Sequence, residues 1–403
     1  MSDAYIYDAV RSPRAKGRPG GGLSSVQPHD LVAQLVDALR ERTAGAAVDH
    51  ADRLVLSCVG QVGAQGGHIA LVSKLAATLP DRVVPHSLNN YCVGGLSAIG
   101  HATAAVESGQ ASLVLAGGVE MMSHVAFLAD DAALYSDPLA SELRWTPVGV
   151  AADHLAHRHD VGRATLDELS IESHRRAALA WESGRYDDHV VPIHDADGNI
   201  VIVADETIRP DLSMDDLAAL PPAFEAIGAA TYDAVIAGVG AESIEHRHSV
   251  ANCPPIADGA ALTIVGNAEA GEQMGLEPIA RIEAIVEMGA DPLDQLTAGR
   301  AAMDRLLEDT DLTLAEMDRI EFMEAFAVVS ALFHREHDVD RAIVNPDGGH
   351  LAMGHPMGAT GAILTAALAH GLRRDGAIRG LVVASGGSGV GVAALLSREG
   401  LAS

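Results

Sequence analysis

Two distant stretches of the chain follow the same order of residue types. Residues 92–120, CVGGLSAIGHATAAVESGQASLVLAGGVE, begin with a cysteine, pass a glycine pair, continue as an alanine-rich run and end in an apolar run with glycines. Residues 355–387, HPMGATGAILTAALAHGLRRDGAIRGLVVASGG, begin with a histidine and follow the same order. A turn, a helix and a buried strand give this pattern, so the chain is predicted to use one unit twice. Two unrelated strand and helix units remain an alternative, because such units are common.

Short apolar runs alternate with amphipathic segments along much of the chain. Residues 29–43 and 360–374 place apolar side chains at helical spacing. The apolar runs are RLVLSCVG (53–60), SLVLAGGVE (112–120), ARIEAIV (280–286), AIVNP (342–346) and GLVVASGG (380–387). This alternation predicts an α/β protein with buried strands.

The middle of the chain has a different texture. Between about residues 121 and 251 the charge rises and strand-like runs become scarce. Residues 165–184 predict a helix capped by Thr165, with Glu168 three residues later. We therefore expect an inserted, mainly helical domain at 121–251.

The overall composition restricts the class of protein. With a formal net charge of -28, the chain has no basic run to neutralise phosphates, so nucleic-acid binding is not expected. The N-terminus has no signal-peptide pattern, and no apolar stretch is long enough to span a membrane. The three cysteines are widely separated and match no metal-ligand spacing. These features predict a protein of the reducing cytoplasm without metal, membrane or nucleic-acid partners.

Cys92 is the first candidate catalytic residue. Leu96, Ile99, Ala102 and Val106 follow it at helical spacing, which places the cysteine at or just before the start of a helix. Backbone N–H groups and the helix dipole would then favour the thiolate, the nucleophilic form. The alternative is a buried structural cysteine, which is common in proteins. Cys58, inside a predicted strand, is expected to be of that structural kind.

Two glycine-rich segments near the C-terminus add further candidates. His355 lies in the segment NPDGGHLAMGHPMGATGA (345–362), whose many glycines indicate backbone held close to another group. A histidine in an ordinary loop is the alternative. The segment VVASGGSGVGVAALL (382–396) fits neither a phosphate loop nor a dinucleotide fingerprint. Its backbone amides would suit an oxyanion hole, with Gly387 among them.

Together these stretches resemble the thiolase family, whose members make or cleave 3-ketoacyl-CoA. The resemblance extends over nearly the whole chain. It rests on the two segments above and on AVRSPRAKGRPGGGL (9–23), LNNYCVGGL (88–96), LAGGVEMMS (115–123), DETIRP (205–210), LPPAF (220–224), NCPPIADGAAL (252–262) and FMEAFA (322–327).

The resemblance implies a thiolase fold, with two similar βαβαβαββ halves forming a five-layered αβαβα core. The N-terminal half would comprise residues 1–120 and 252–278, the C-terminal half residues 279–403, and the insert 121–251 would bind CoA. It also implies a homodimer or homotetramer that acts on acyl-CoA and binds no cofactor covalently.

The resemblance assigns roles to individual residues as well. Cys92 occupies the position of the nucleophile that takes the acyl group as a thioester. His355 occupies the position of the base that deprotonates it. Residues near the expected CoA site are Arg209, which would face the CoA phosphates or else pair with an acidic neighbour in the insert, and Asn252, Cys253, Pro254 and Phe326.

Two catalytic positions differ from the family pattern. Met323 stands where the family has an asparagine that positions water in an oxyanion hole, and a thioether cannot donate a hydrogen bond. Ser385 stands where the family has the cysteine that moves the substrate α-proton, and an alcohol is a far weaker acid than a thiol. A related branch supplies that cysteine at the position of Ala325. Cys253 and His350 are two weak candidates for a substitute.

These differences leave several functions open. An acyl-CoA acyltransferase with an acyl-Cys92 intermediate and weak or specialised carbon–carbon chemistry is the reading most favoured by the residues. A thioesterase, an aldolase-type lyase or a non-catalytic acyl-CoA-binding protein are the alternatives. The histidines that resemble metal ligands are expected to lie on the surface instead; they are His154, His157, His159, His246 and His248.

Overall fold

The computed structural model describes residues 3–130, 135, 139–237 and 244–401. Twelve strands occur in this part of the chain. They are β1 (Ala4–Arg11), β2 (Ala15–Lys16), β3 (Arg53–Ser57), β4 (Val84–Leu88), β5 (Leu113–Glu120), β6 (Ile193–His194), β7 (Ile200–Ile202), β8 (Ala257–Gly266), β9 (Ala280–Gly289), β10 (Arg319–Phe322), β11 (Arg379–Gly386) and β12 (Val390–Ser397).

The α-helices of the same residues range from single turns to long core helices. They are α1 (Pro28–Arg42), α2 (Ile69–Ala76), α3 (Gly94–Glu107), α4 (Leu139–Glu142), α5 (Val148–Arg158), α6 (Arg163–Glu182), α7 (Met214–Ala218), α8 (Glu225–Ile227), α9 (Asp233–Ala237), α10 (Ala268–Met274), α11 (Ala298–Thr310), α12 (Ala327–Glu336), α13 (His350–Met353) and α14 (Thr360–Asp375). None of the described helices is long and apolar enough to cross a membrane.

The strands of the two halves have the same pairing pattern. In the first half, β3 runs parallel to both β4 and β5, β5 pairs antiparallel with β8, and β8 pairs antiparallel with β1. In the second half, β10 runs parallel to β11, β11 pairs antiparallel with β12, and β12 pairs antiparallel with β9. The turn, helix and strand that the sequence predicted to occur twice are α3 with β5 and α14 with β11, each within one βαβαβαββ half.

One strand of the second half is much reduced. The run 342–346 was predicted to be a strand, but only Val344 forms a bridge, to Ile320. A turn of 3-10 helix at Arg341–Ile343 precedes it because the Asp340 carboxylate accepts a hydrogen bond from the Ala342 N–H. Pro346 follows and has no N–H to continue a ladder, so this prediction was wrong in extent.

The two halves enclose a pair of central helices. A short antiparallel pairing of Ala4–Ile6 in β1 with 280–282 in β9 joins the strands of both halves into one sheet. Helices α3 and α14 pack against each other and against strands of both halves, whereas α1 covers the first half and α11 the second. The order is helix, strands, helix pair, strands, helix, and the fold class expected from the resemblance is confirmed.

Glycines allow the central helices to approach closely at their N-terminal ends. A Cβ on Gly95 of α3 would lie 2.8 Å from the Ala362 backbone nitrogen of α14. A Cβ on Gly361 would lie 2.3 Å from the backbone nitrogen of Leu96. Because Cys92 immediately precedes α3 and His355 precedes α14, this contact brings the two candidate catalytic segments together.

The segment 121–251 contains six of the described helices, α4 to α9, and the β6–β7 hairpin. Its longest helix, α6, begins at Arg163 rather than after Thr165, and its N-cap is Gly162. Arg163 explains the earlier start, because its guanidinium bonds the Asp167 carboxylate at 2.8 Å within the first turns. The predicted threonine cap was therefore wrong, although the helix itself is present.

A buried ion pair ties this segment to the core. The Asp205 carboxylate accepts hydrogen bonds from the Arg11 guanidinium at 2.8 and 2.9 Å and from the Arg14 backbone N–H at 2.7 Å. Burial alone would raise the pKa of Asp205, but Arg11 and Arg14 hold that pKa below its usual value. Arg14 also donates to the Gly354 carbonyl, so the pair is continuous with the loop that carries His355.

The helix contact generates a stability prediction. Gly95→Ala should cost about 1–3 kcal/mol of unfolding free energy, because its methyl group meets backbone that cannot move aside. Gly100→Ala in the same helix is the control, since its Cβ would lie 3.5 Å from Ile285, in ordinary contact. Urea denaturation measures both, and equal stabilities of the two variants would contradict this account of the helix contact.

Candidate active site

A cavity of about 640 Å³ contains both candidate catalytic residues. Cys92 and His355 lie on its wall together with Gly387, although they are far apart in sequence. The remaining wall is largely apolar, with Phe326 and Trp145 among its aromatic side chains. The structure thus brings together three of the residues that the sequence singled out.

Cys92 lies in a sharp turn between strand β4 and helix α3. The preceding Tyr91 has a φ of 48°, a left-handed conformation that is uncommon for a residue other than glycine. The Tyr91 carbonyl accepts the Gly94 N–H at 3.1 Å, and α3 begins at that residue. Cys92 therefore directly precedes the helix start, as the sequence predicted.

The resting thiol is nevertheless strongly held in its neutral form. Burial raises the pKa of Cys92 to about 12, although the Gly387 backbone N–H lowers it, and the nearby Glu120 carboxylate raises it further. The expectation that the helix start would favour the thiolate was wrong for the free protein. The helix dipole contributes less than about 1 kcal/mol at an ordinary terminus, whereas burial shifts a pKa by several units.

His355 is held by its backbone and by one ring nitrogen. Its N–H donates to the Pro255 carbonyl at 2.9 Å, and its Nδ1 lies 2.8 Å from the Thr360 hydroxyl. Burial, with a smaller contribution from the Arg14 charge, lowers the pKa of His355 to about 4. The imidazole is thus neutral at ordinary pH and chemically able to accept a proton.

Glu120, in the motif LAGGVEMMS, is a site residue whose role the sequence did not predict. Its buried carboxylate accepts the Val59 N–H at 2.8 Å, the Gly60 N–H at 3.0 Å and the Gly358 N–H at 3.1 Å. Gln65 adds a side-chain hydrogen bond at 2.9 Å. Burial raises the pKa of Glu120 despite these donors. One carboxylate thereby joins the cavity wall at 59–60 to the loop that follows His355.

Glu324 has a similar anchoring position in the second half. Its buried carboxylate accepts hydrogen bonds from the Ser173 hydroxyl at 2.7 Å, the Leu351 N–H at 3.1 Å and the Asn345 side chain at 3.2 Å. Burial raises the pKa of Glu324 as well. These bonds fix the loop 345–351 that leads to His355. An acidic residue within an otherwise apolar motif, FMEAFA, was the signal available in the sequence.

The residues expected near CoA occupy different places. Cys253, Pro254 and Phe326 line the cavity. Asn252 is buried away from it and donates to the Asp167 carboxylate at 2.8 Å. Arg209 is exposed. The two acidic neighbours that could pair with it form ion pairs with other residues, Asp205 with Arg11 and Glu206 with Lys16.

Comparisons with known proteins agree with this architecture. Residues 4–241 match the family described as thiolase, N-terminal domain, and residues 276–398 match thiolase, C-terminal domain. The chain belongs to the thiolase family. Its reaction class is acyl transfer, as in the related enzymes.

Individual relatives resemble this thiolase over their full length. A β-ketoadipyl-CoA thiolase of Pseudomonas knackmussii is 34% identical, with 98% of this chain and 99% of the relative aligned. An acetyl-CoA acetyltransferase of Synechocystis is 31% identical, with 99% and 100% aligned. The crystal structure of the Bacillus anthracis acetyl-CoA acetyltransferase, 30% identical, superposes with a TM-score of 0.84 over 98% of this chain and 99% of that one.

Met323 and Ser385, the two positions interpreted as departures from the family pattern, do not line the cavity themselves, although Ser385 lies two residues before Gly387, which does. Met323 is buried in the hydrophobic core, and its N–H donates to the Val383 carbonyl at 2.9 Å. The Ser385 hydroxyl accepts the Gly299 N–H at 3.0 Å, at the start of α11. Ala325 does line the cavity but carries no ionisable group.

The substitute candidates for an acid/base group are both poorly suited as bases. The Cys253 thiol donates to the Ser249 carbonyl at 3.2 Å, and burial raises its pKa far above the ordinary value. His350 is fully buried behind His355, with the ring centroids 5.6 Å apart, and does not line the cavity. Cys58 is buried in the core, as expected.

The expectation of surface histidines was wrong for His246, His248 and His154, which are all buried. Two of these histidines are buried because they contact the Asp153 carboxylate, His246 through Nδ1 at 2.8 Å and His248 through Nδ1 at 2.7 Å. His157 and His159 remain partly exposed. Within residues 3–130, 135, 139–237 and 244–401, no group of His, Cys, Asp and Glu side chains could hold a metal ion.

The neutral resting thiol predicts a distinctive pH dependence. With a Cys92 pKa of about 12, the thiolate fraction rises tenfold for each pH unit throughout the range below that value. The second-order rate of Cys92 alkylation by iodoacetamide should therefore rise about tenfold per unit from pH 6 to pH 9. Peptide mass spectrometry measures the modification at this residue.

One control makes this measurement specific. Alkylation of free glutathione under the same conditions gives the pH dependence of iodoacetamide with an exposed thiol. The rate of that reaction should level off once the glutathione thiol has ionised. A rate at Cys92 that is already constant near pH 7 would contradict the neutral state, because it would indicate a preformed thiolate and imidazolium pair.

Proposed function

We propose that this thiolase is an acyl-CoA acyltransferase that carries the acyl group on Cys92. The observation that supports it best is the shared cavity, in which Cys92, the Gly387 backbone and a neutral His355 lie on the same wall. Acyl transfer needs a nucleophile, a base and amide donors for an oxyanion, and these groups provide each of them.

The proposed step balances as follows. The Cys92 proton passes to His355 while the sulfur attacks the thioester carbonyl, and the resulting oxyanion receives the Cys92 and Gly387 N–H groups. The carbon–sulfur bond to CoA then breaks, and the departing CoA sulfur takes the proton from the imidazolium. Since the Thr360 hydroxyl occupies Nδ1, the other ring nitrogen, Nε2, is the one that exchanges the proton.

The same proposal assigns the CoA contacts. Cys253, Pro254 and Phe326 line the cavity and would contact the pantetheine arm. Asn252 would act indirectly, because it fixes this segment through Asp167. Arg209 is an exposed cation available to the CoA phosphates. In this proposal CoA is a substrate, and the insert 121–251 is the unit that binds it. Residues 1–120 and 252–278 form the N-terminal half, and residues 279–403 form the C-terminal half.

Carbon–carbon bond formation or cleavage is proposed to be weak or specialised. It needs a group that moves the substrate α-proton, and loss of one general acid/base group typically costs about 10²–10⁴-fold. Ser385 supplies an alcohol bound to the Gly299 N–H, and Met323 supplies no hydrogen-bond donor. Acyl transfer from CoA requires neither residue.

We also propose that the protein assembles as a homodimer or homotetramer in the cytoplasm. Strand β4 lies at one edge of the sheet, and Val84 on it is 49% exposed. Leu75 of the neighbouring α2 is 64% exposed. An unpaired strand edge beside exposed apolar side chains is suited to pairing with a second copy.

The acyl-enzyme prediction is tested by intact-mass measurement. After mixing with acetyl-CoA, the protein should gain the mass of one acetyl group, and Cys92→Ala should abolish the gain. Cys253→Ala is the matched control, because that cysteine lines the same cavity but is not the acyl acceptor; the variant should still gain one acetyl group even if it binds CoA more weakly. Acylation that survives in Cys92→Ala would refute the proposal. Persistent CoA binding without any adduct would indicate a binding protein, and rapid loss of the adduct to water a thioesterase.

The missing α-proton group generates a second prediction. Ser385→Cys should raise the rate of acetoacetyl-CoA thiolysis at least about tenfold, because the thiol can ionise and the Gly299 N–H would stabilise the thiolate. Ser388→Cys is the control, since it places a thiol on the cavity wall at a different position. If the two variants have equal rates, the absence of a thiol at 385 is not what limits the reaction.

A further inference from the structure

The cavity that holds Cys92 has a wall without basic side chains. None of its described lining residues is a lysine or an arginine. The segments 131–134, 136–138 and 238–243 lie outside the described residues, and their sequences DAAL, SDP and GVGAES also contain neither. His355 is neutral, because burial lowers its pKa to about 4. The described lining residues therefore offer no cation to an acyl chain in this cavity.

Polar side chains are few among the described residues of the wall, and one of them, Gln295, is already engaged. Gln295 donates its side-chain amide to the Thr146 carbonyl at 2.7 Å and accepts the Ser388 N–H at 3.0 Å. Burial raises the pKa of Tyr135, and the neighbouring Tyr91 side chain adds to that rise. Asp130 also lines the cavity, and its negative charge adds to the raised pKa of Tyr135, for which burial is the main cause.

Two arginines close to the wall in sequence or space are paired elsewhere. Arg144 precedes Trp145, but its guanidinium faces Asp291 at 3.4 Å and is partly exposed. Arg14, close to His355, is bound by Asp205. Arg14 is buried, and to turn toward a ligand its guanidinium would have to leave both Asp205 and the Gly354 carbonyl.

Packed aromatic rings form one side of the cavity. Trp145 packs against Tyr135 with ring centroids 5.0 Å apart and edge-on against Tyr232 at 6.0 Å. Phe224 and Phe326 pack edge-on at 6.0 Å. Such a wall favours an alkyl or aryl chain, whereas a carboxylate placed against it would lose water and gain no partner.

We propose that the acyl pocket of this thiolase accepts uncharged, apolar acyl chains and rejects chains that end in a carboxylate. This inference rests on the proposed function in one respect, that the acyl group on Cys92 occupies this cavity. It separates the chain from its relative named β-ketoadipyl-CoA thiolase, since an adipyl chain carries a distal carboxylate.

Binding of two unreactive thioethers tests the inference without any chemistry. Calorimetry on the full-length protein would compare S-hexyl-CoA with S-(5-carboxypentyl)-CoA, which have the same chain length and differ in the terminal carboxylate. The carboxylated ligand should bind at least about 100-fold more weakly, because an unpaired buried charge costs several kcal/mol. Affinities within about threefold of each other would overturn the proposal. This holds even if the cause were a basic side chain contributed to the cavity by a second copy of the chain.

The outcomes separate this inference from the proposed function. Selective binding of S-hexyl-CoA without acylation of Cys92 would support the pocket assignment and refute the acyl-enzyme. Acylation of Cys92 by adipyl-CoA as fast as by hexanoyl-CoA would support the acyl-enzyme and refute the pocket assignment. Failure of both thioethers to bind would refute the cavity as the acyl site, and so the inference itself.

A substitution at the cavity wall adds a further measurement. Phe127 lines the cavity but is 41% exposed, so Phe127→Arg introduces a cation at a position that tolerates it. The ratio of the two affinities should shift toward the carboxylated ligand by about three- to tenfold. Ile378→Arg, at an exposed site outside the cavity, should leave the ratio unchanged. An equal shift in both variants would contradict the local electrostatic cause.

Discussion

The buried carboxylate of Glu120 connects the two halves of the molecule at the point where the candidate catalytic residues meet. It accepts N–H groups from Val59 and Gly60 in the first half and from Gly358 in the second. A buried N–H without an acceptor costs about 1–3 kcal/mol, so this one side chain stabilises both loops at once. The contact between α3 and α14 then fixes the distance between these two loops, which neither loop could do alone.

This anchoring has an electrostatic consequence for Cys92. The Glu120 charge and burial both raise the pKa of the thiol, while burial lowers that of His355. An apolar cavity stabilises the neutral thiol and neutral imidazole better than their ion pair. In the proposed step an oxyanion would form next to the Gly387 N–H, so the electrostatics of the site would favour the transition state of acyl transfer over a charged resting state.

Much of the fold was legible in the sequence, because helices α3 and α14 and their following strands have regular apolar spacing. The positions of Cys92 before a helix and of His355 in a glycine-rich turn were legible for the same reason. The ionisation state of Cys92 was not, since it depends on burial by residues distant in sequence. The pairing of His246 and His248 with Asp153 was hidden too, because those residues are about 90 positions apart.

The altered positions show why motifs identify the family more firmly than the reaction. The residues that make the motifs recognisable are largely anchors, such as Gly95, Gly361, Glu120 and Glu324, which hold backbone in place. Replacing an anchor would disturb both halves. A group that moves a proton at the substrate α-carbon is a single side chain, and a serine at 385 fits the same space and still bonds an amide of α11. The fold can therefore persist while one step of the chemistry changes.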